Sequence, residues 1–183
     1  MNHFFDVGAH NGNTFQHLGG EYDGWNIWCF EPSPRHLPDL ILRARHLKHR
    51  FNVTICPFGL GGKTEVLEFY LKNDPQADSF SNKFSENQDA GCKFVVPIQD
   101  ISDFILKYTN KDDTIHLKLD CETSEYGILN SLINNVEAFS RVKKLMVEFH
   151  SKENNNSAEF EKDCNEFITK CQELGHVILL WGN

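Results

Sequence analysis

Short apolar runs of strand length alternate along the chain with stretches whose apolar residues recur every three or four positions. Phe4, Phe5 and Val7 make the first run, interrupted near its carboxyl end by Asp6 and followed by a small turn holding Gly8, Ala9 and Gly12. Phe15 and Leu18 predict a short helix that Gly19-Gly20 stops. Residues 25–30 predict a second strand. Ser33 before Pro34 predicts the start of a helix, and Leu37, Leu40, Ile41, Ala44 and Leu47 give that helix one apolar face. Pro38 falls in its first turns, where proline is tolerated. Residues 51–56 are rich in β-branched side chains and predict a third strand, with 57–62 turning out of it.

Residues 66–71 read as a strand that pairs outside the main sheet, and 93–98 are extended again. Between them, residues 73–92 are polar with scattered apolar anchors, which predicts a long loop that acts as a lid or has no fixed structure. Ile101, Ile105 and Tyr108 mark a short helix behind Asp100. Residues 114–119 predict the fourth strand, Ile128, Leu129, Leu132, Ile133 and Val136 the next helix, and 142–149 the fifth strand. Asn156 and Glu159 fit a capping box. Phe160, Cys164, Phe167, Ile168, Cys171 and Leu174 then trace one helical stripe closed by Gly175, and 176–181 read as a last strand. Helices alternating with buried strands predict one α/β domain over residues 1–183, a parallel-rich sheet in a three-layer α/β/α arrangement.

Composition narrows the partners. A formal net charge of −8 argues against a broad nucleic-acid footprint, which needs a basic face. The local group Arg43, Arg45, His46, Lys48, His49 and Arg50 reads as a solvated helix face. No stretch approaches the roughly 18 apolar residues of a membrane span, and no charged-then-apolar leader is present. Cysteines stand at 29, 56, 92, 121, 164 and 171 with no Cys-x-x-Cys, which predicts reduced thiols in a cytoplasmic setting.

The stretch from 3 to 14 organises the chemistry. A strand, a glycine turn and a helix start aim free backbone N–H groups at whatever lies beyond the strand tips, where open α/β sheets hold their ligands. The glycines read Gly-x-x-x-Gly, not the Gly-x-Gly-x-x-Gly of a diphosphate site, and Asp6 would repel a diphosphate. A carboxylate there suits a cationic ligand such as S-adenosylmethionine. Glu31, about 20 positions on at the next strand tip, is placed to accept both ribose hydroxyls. The candidate cofactor residues are therefore Asp6, Gly8, Ala9, His10, Asn11, Gly12, Glu31 and Pro32, with Phe58 and Gly59 at the next tip flanking the adenine.

DVGAHNGNT (6–14), CFEPSP (29–34), ICPFGLGGKTEVLEFY (55–70), HLKLDCETSEYGIL (116–129) and KKLMVEFH (143–150) together resemble the FkbM-type S-adenosylmethionine-dependent methyltransferases, in that family's order and over roughly residues 4–150. The resemblance implies a class I, Rossmann-like methyltransferase sheet and, usually, O-methylation of a hydroxyl on a sugar or other small metabolite. The chain departs from the family's pattern at Thr123, where a glycine is usual, and in starting at the first strand without a leading helix. The strand count is one short of the family's closing antiparallel hairpin, so a minimal sheet lacking that last strand is expected.

Strand tips collect Asp6, Glu31, Asp120, Glu122, Glu125, Glu148 and His150. Methyl transfer needs an oxygen held in line with the sulfonium methyl and a group to take the hydroxyl proton. His150 is the expected base because its ordinary pKa lies near neutrality. Asp120 and Glu122 are expected to bind substrate hydroxyls or amines, or to orient the base. Asp120, Glu122 and Glu148 offer hard oxygens that would suit magnesium or calcium; the resemblance requires no metal, and none is assigned. Two other readings stay open: a non-catalytic methyltransferase-like binding module, and a nicotinamide-dependent oxidoreductase. The acceptor is expected to be a small molecule, carbohydrate among the candidates, with the oligomeric state open.

Overall fold

Strand β1 sits in the middle of the main sheet, with Phe4 buried on one face and Phe5 and Val7 on the other. The computed structural model describes residues 1–72, 89–150 and 157–181. In chain order the elements are β1 (Asn2–Val7), β2 (Asn26–Phe30), α1 (Leu37–His46), β3 (Asn52–Cys56), β4 (Gly59–Gly61), β5 (Glu65–Lys72), β6 (Asp89–Asp100), α2 (Ile101–Tyr108), β7 (Thr114–Leu119), α3 (Glu125–Asn134), α4 (Val136–Ser140), β8 (Val142–Val147), α5 (Ser157–Glu173) and β9 (Ile178–Leu180). The main sheet runs β3-β2-β1-β7-β8-β9, every pairing parallel. The chain builds outward from β1 first to one side and then to the other. β1 and β7 therefore flank the switch point where such sheets open a crevice.

Alternation along the strands makes two cores. Phe5, Val7, Leu117, Leu119 and Val147 pack on one face beneath α2 to α5, against Phe104, Ile128, Leu129, Phe139 and Phe167. Phe4, Ile27, Cys29 and Met146 pack on the other against Phe15, Leu18, Leu40 and Ala44. Each fully buried phenylalanine of β1 contributes roughly 1.5–3 kcal/mol. The three-layer arrangement is the one predicted. A smaller sheet, β4-β6-β5, stands apart, with β5 antiparallel to β6 as expected for a strand pairing outside the main sheet.

Several boundaries differ from those predicted. The helix after the first turn is only a four-residue 3-10 helix, Asn13–Gln16, followed by another at Gly20–Tyr22. Gly12 stands before it at φ +84, so the chain turns out of left-handed backbone with room for a single tight turn before Gly19-Gly20. No α-helix dipole points at the strand tips from there. α1 starts at Leu37, not at Ser33-Pro34: the Ser33 N–H donates to Glu31 Oε1 at 2.7 Å, which bends 31–33 around that carboxylate, and Pro38 occupies the helix's first positions instead. On α1, Leu40 and Ala44 are buried while Ile41 faces out. The predicted loop at 73–92 gives up residues 89–92 to β6, because pairing with β5 extends to Lys72 and Asp89; residues 73–88, like Asn156 of the expected capping box, lie outside the described residues. β4 occupies part of the predicted 57–62 turn. The last strand is shorter than predicted and joins β8 in parallel.

Candidate functional site

The carboxyl ends of β1, β2, β7 and β8 border a cavity of about 380 Å³. Gly8 makes the junction possible. Its φ of +78 favours glycine, and a Cβ there would fall 1.7 Å from the Asp120 carbonyl oxygen, so the β1 turn presses directly on the β7 tip. Gly8 and Ala9 both donate their N–H groups to Phe30 O, at 3.1 and 3.2 Å, which ties the same turn to β2.

Glu31 closes the second tip. One carboxylate oxygen accepts the His10 N–H at 2.7 Å and the other the Ser33 N–H at 2.7 Å, so this nearly buried side chain staples the β1 turn to the start of the next connection. His10, at φ +48, lays its ring against His36 with centroids 3.6 Å apart.

A buried charge chain runs beneath. Lys118 Nζ, on β7, lies 3.1 Å from Asp6 Oδ1 and 3.1 Å from Asp120 Oδ2. It also donates to Gly8 O at 3.4 Å. Burial works against the Lys118 charge, yet the Asp6 and Asp120 carboxylates outweigh it and hold the ammonium above its ordinary pKa. Burial pushes the Asp6 carboxyl up, with Lys118 pulling it back.

On the other side of the cavity stand His150, Asp120, Glu122 and Glu148. His150 Nδ1 is 2.7 Å from Glu125 Oε1, and its Nε2 is 3.5 Å from Glu122 Oε1 and 3.9 Å from Asp120 Oδ1. Burial lowers the imidazole's pKa, but hydrogen bonding and attraction from Glu125, then Glu122 and Asp120, outweigh it and hold His150 at about 9. The ordinary imidazole pKa near neutrality is what singled out His150 in the sequence; in the fold the packed carboxylates favour its protonated form. Burial also raises Glu122 and Glu148, each pulled back by His150 and pushed further by neighbouring acids. Asp120, Glu148 and His150 bring one donor atom each within 4.8 Å of one another, a spacing common among acidic groups without an ion, and no metal is assigned.

Of the residues singled out from the sequence, Gly8, Ala9, His10, Glu31, Pro32, Gly59, Asp120, Glu122, Glu148 and His150 line this cavity together. Asp6, Asn11, Gly12, Phe58 and Glu125 do not. Asp6 lies fully buried behind Lys118, so its part is to hold that lysine, and the half-buried Phe58 packs against Phe30 and Phe104 of the core. The wall also includes Thr14, His17, His36, Leu60, Phe69, Lys118 and Trp181. Lys118 stands two residues before Asp120, and strand alternation puts the two on one face. Phe69 and Trp181 arrive from the small sheet and from beyond β9, and nothing local marks them.

A parallel sheet with its cavity at the switch point, bounded by a glycine turn and an acidic second-strand tip, defines a Rossmann-like α/β domain of the methyltransferase kind. The profile of the Methyltransferase FkbM domain matches residues 6–178, and the protein belongs to that family. No curated protein and no solved structure matches the chain. Membership implies methyl transfer with S-adenosylmethionine in general terms. No disulfide joins any of the six cysteines, and no helix among the described residues is long and apolar enough to cross a membrane.

Proposed function

We propose that the protein is an S-adenosylmethionine-dependent O-methyltransferase acting on a hydroxyl of a sugar or other small metabolite in the cytoplasm. The observation that carries this reading is the meeting of His150, Asp120 and Glu122 with the Gly8–His10 turn and Glu31 around one cavity. The donor set suits the cofactor: Glu31 offers a carboxylate to ribose hydroxyls, the turn offers small residues and backbone, and the acidic wall favours a positively charged ligand. Gly8, Ala9, His10, Glu31, Pro32 and Gly59 would hold it. When bound, the cofactor supplies an electrophilic methyl group on a sulfonium.

The protein's own part is positioning and proton transfer. Asp120 and Glu122 accept hydrogen bonds from acceptor hydroxyls and orient one of them. His150 takes the proton of that hydroxyl at Nε2, the ring nitrogen nearer the cavity carboxylates. With a pKa of about 9, His150 does this most readily in alkaline solution. It loses its proton more easily when a second positive charge shares the cavity.

The same raised pKa favours a second reading, a binding module that takes up the cofactor without transferring the methyl group, since an imidazolium is no base. Titration calorimetry with S-adenosylmethionine, S-adenosylhomocysteine and NAD tests the pocket, and only the first two are expected to bind. Transfer of labelled methyl to a panel of sugars and small alcohols, assayed from neutral pH to pH 10, then separates enzyme from module. Cofactor binding with no transfer to any acceptor across that range would select the module.

A further inference from the structure

Behind His150 stands a carboxylate that neither lines the cavity nor reaches solvent. Glu125, the first residue of α3, is fully buried. Its Oε1 accepts the Cys121 N–H at 3.0 Å and lies 2.7 Å from His150 Nδ1. The neighbouring Tyr126 donates its hydroxyl to the His150 carbonyl at 2.8 Å. Two consecutive residues of one helical turn therefore grip the histidine, one by its ring and one by its main chain.

This grip selects a proton arrangement. An ionised carboxylate only accepts hydrogen bonds, so the ring donates from Nδ1. A neutral His150 then carries its hydrogen on Nδ1 and presents a lone pair at Nε2, toward the cavity side where Glu122 and Asp120 stand. Among the described residues, Glu125 Oε2 has no hydrogen-bond partner. Burying a carboxylate half-satisfied is costly, and packing alone would be served better by an apolar residue.

We propose that Glu125 is the positioning residue of this site, holding His150 in the Nδ1–H tautomer with Nε2 turned toward the acceptor. The role rests on the methyl-transfer reading above, while the tautomer can be read without any turnover. The charged and titratable groups facing the imidazole are Glu125 and Tyr126 from α3, Asp120 and Glu122 from the turn before it, Glu148 at the end of β8, and Lys118 from β7 beyond Asp120.

The test is a nitrogen-detected NMR titration of the His150 ring in the 183-residue chain, wild type against Glu125→Gln. A glutamine keeps the shape and can still accept from Cys121, but it carries no charge and can turn its amide to donate to Nδ1. Wild type is expected to show a single Nδ1–H tautomer once deprotonated. Glu125→Gln is expected to deprotonate at lower pH and to populate the Nε2–H form. In turnover, kcat should fall by part of the roughly 10²–10⁴-fold that general base catalysis contributes, with S-adenosylhomocysteine affinity unchanged. Unchanged titration and tautomer in the variant would overturn the proposal whatever the activity. A mixture of tautomers in wild type would overturn it too, and that spectrum decides the matter even if the variant does not fold. If wild type shows the single tautomer but transfers no methyl group, the functional reading fails while the Glu125–His150 pair stands.

Discussion

Lys118 Nζ lies 3.1 Å from Asp6 Oδ1, with neither side chain more than 2% exposed. One charge comes from each of the two strands that flank the switch point, so the pair ties the sheet together directly beneath the cavity. Removing one partner strands the other in a place where water cannot reach it. Lys118→Met is expected to cost about 3–5 kcal/mol, as breaking a buried pair typically does. The double variant Asp6→Asn/Lys118→Met should recover a large part of that loss in urea unfolding. A single variant no less stable than the double one would mean the pair contributes no more than its packing.

The turn after β7 carries a different kind of strain. Glu122 and Thr123 both have left-handed backbone, at φ +51 and +79, and a β-branched residue is rare there. Thr123 is exposed, so little packing is lost on replacing it. Thr123→Gly should remove a left-handed cost of roughly 1–2 kcal/mol and add a glycine entropy cost of about 0.5–1 kcal/mol. A small net gain in thermal stability is the expected result. A variant that melts at or below the wild-type temperature would show the turn to be unstrained.

Glu31 is both a structural staple and a candidate ligand. Glu31→Ala should weaken S-adenosylhomocysteine binding by more than tenfold, since each charge-assisted hydrogen bond is worth roughly 1.5–3 kcal/mol. It should also release the N–H groups of His10 and Ser33, so amide exchange at both positions should speed up in the free protein. Faster exchange with unchanged calorimetric affinity would confine Glu31 to the staple.

The pH dependence follows from the carboxylates around His150. Its pKa is raised from 6.5 to about 9 in the fold, so the fold favours the charged imidazole. The stability this supplies is complete below about pH 6.5 and is lost as the pH rises through about 9. Activity should run the other way, because only the neutral ring accepts a proton: the rate should climb with pH and level off near 9. His150→Ala should remove both trends and lower turnover roughly 10²–10⁴-fold, leaving cofactor affinity nearly intact. A wild-type pH–rate profile flat between pH 6 and 10 would leave His150 outside the chemistry.

Much of this architecture is written in local pattern. The fourth predicted strand, 114–119, coincides with β7, and β1 and β2 fall close to their apolar runs, because strands buried on both faces are apolar over most of their length. Glu31 and Asp120 could be placed at strand tips for the same reason: the apolar run stops where the sheet ends. What local pattern left undecided was which groups meet. Ser33 failed to start a helix because its N–H was claimed by Glu31, and β6 grew past its apolar segment because β5 was there to pair with it. Asp6, marked for a ligand, proved to be the counter-ion of a lysine 112 positions away. His150 owes its basicity to Asp120, Glu122 and Glu125, which only the parallel crossover from β7 to β8 brings to its ring. Burial patterns are set residue by residue along the chain, and the sequence determined them. Charge and proton affinity depend on distances across it, and those were decided when the sheet closed.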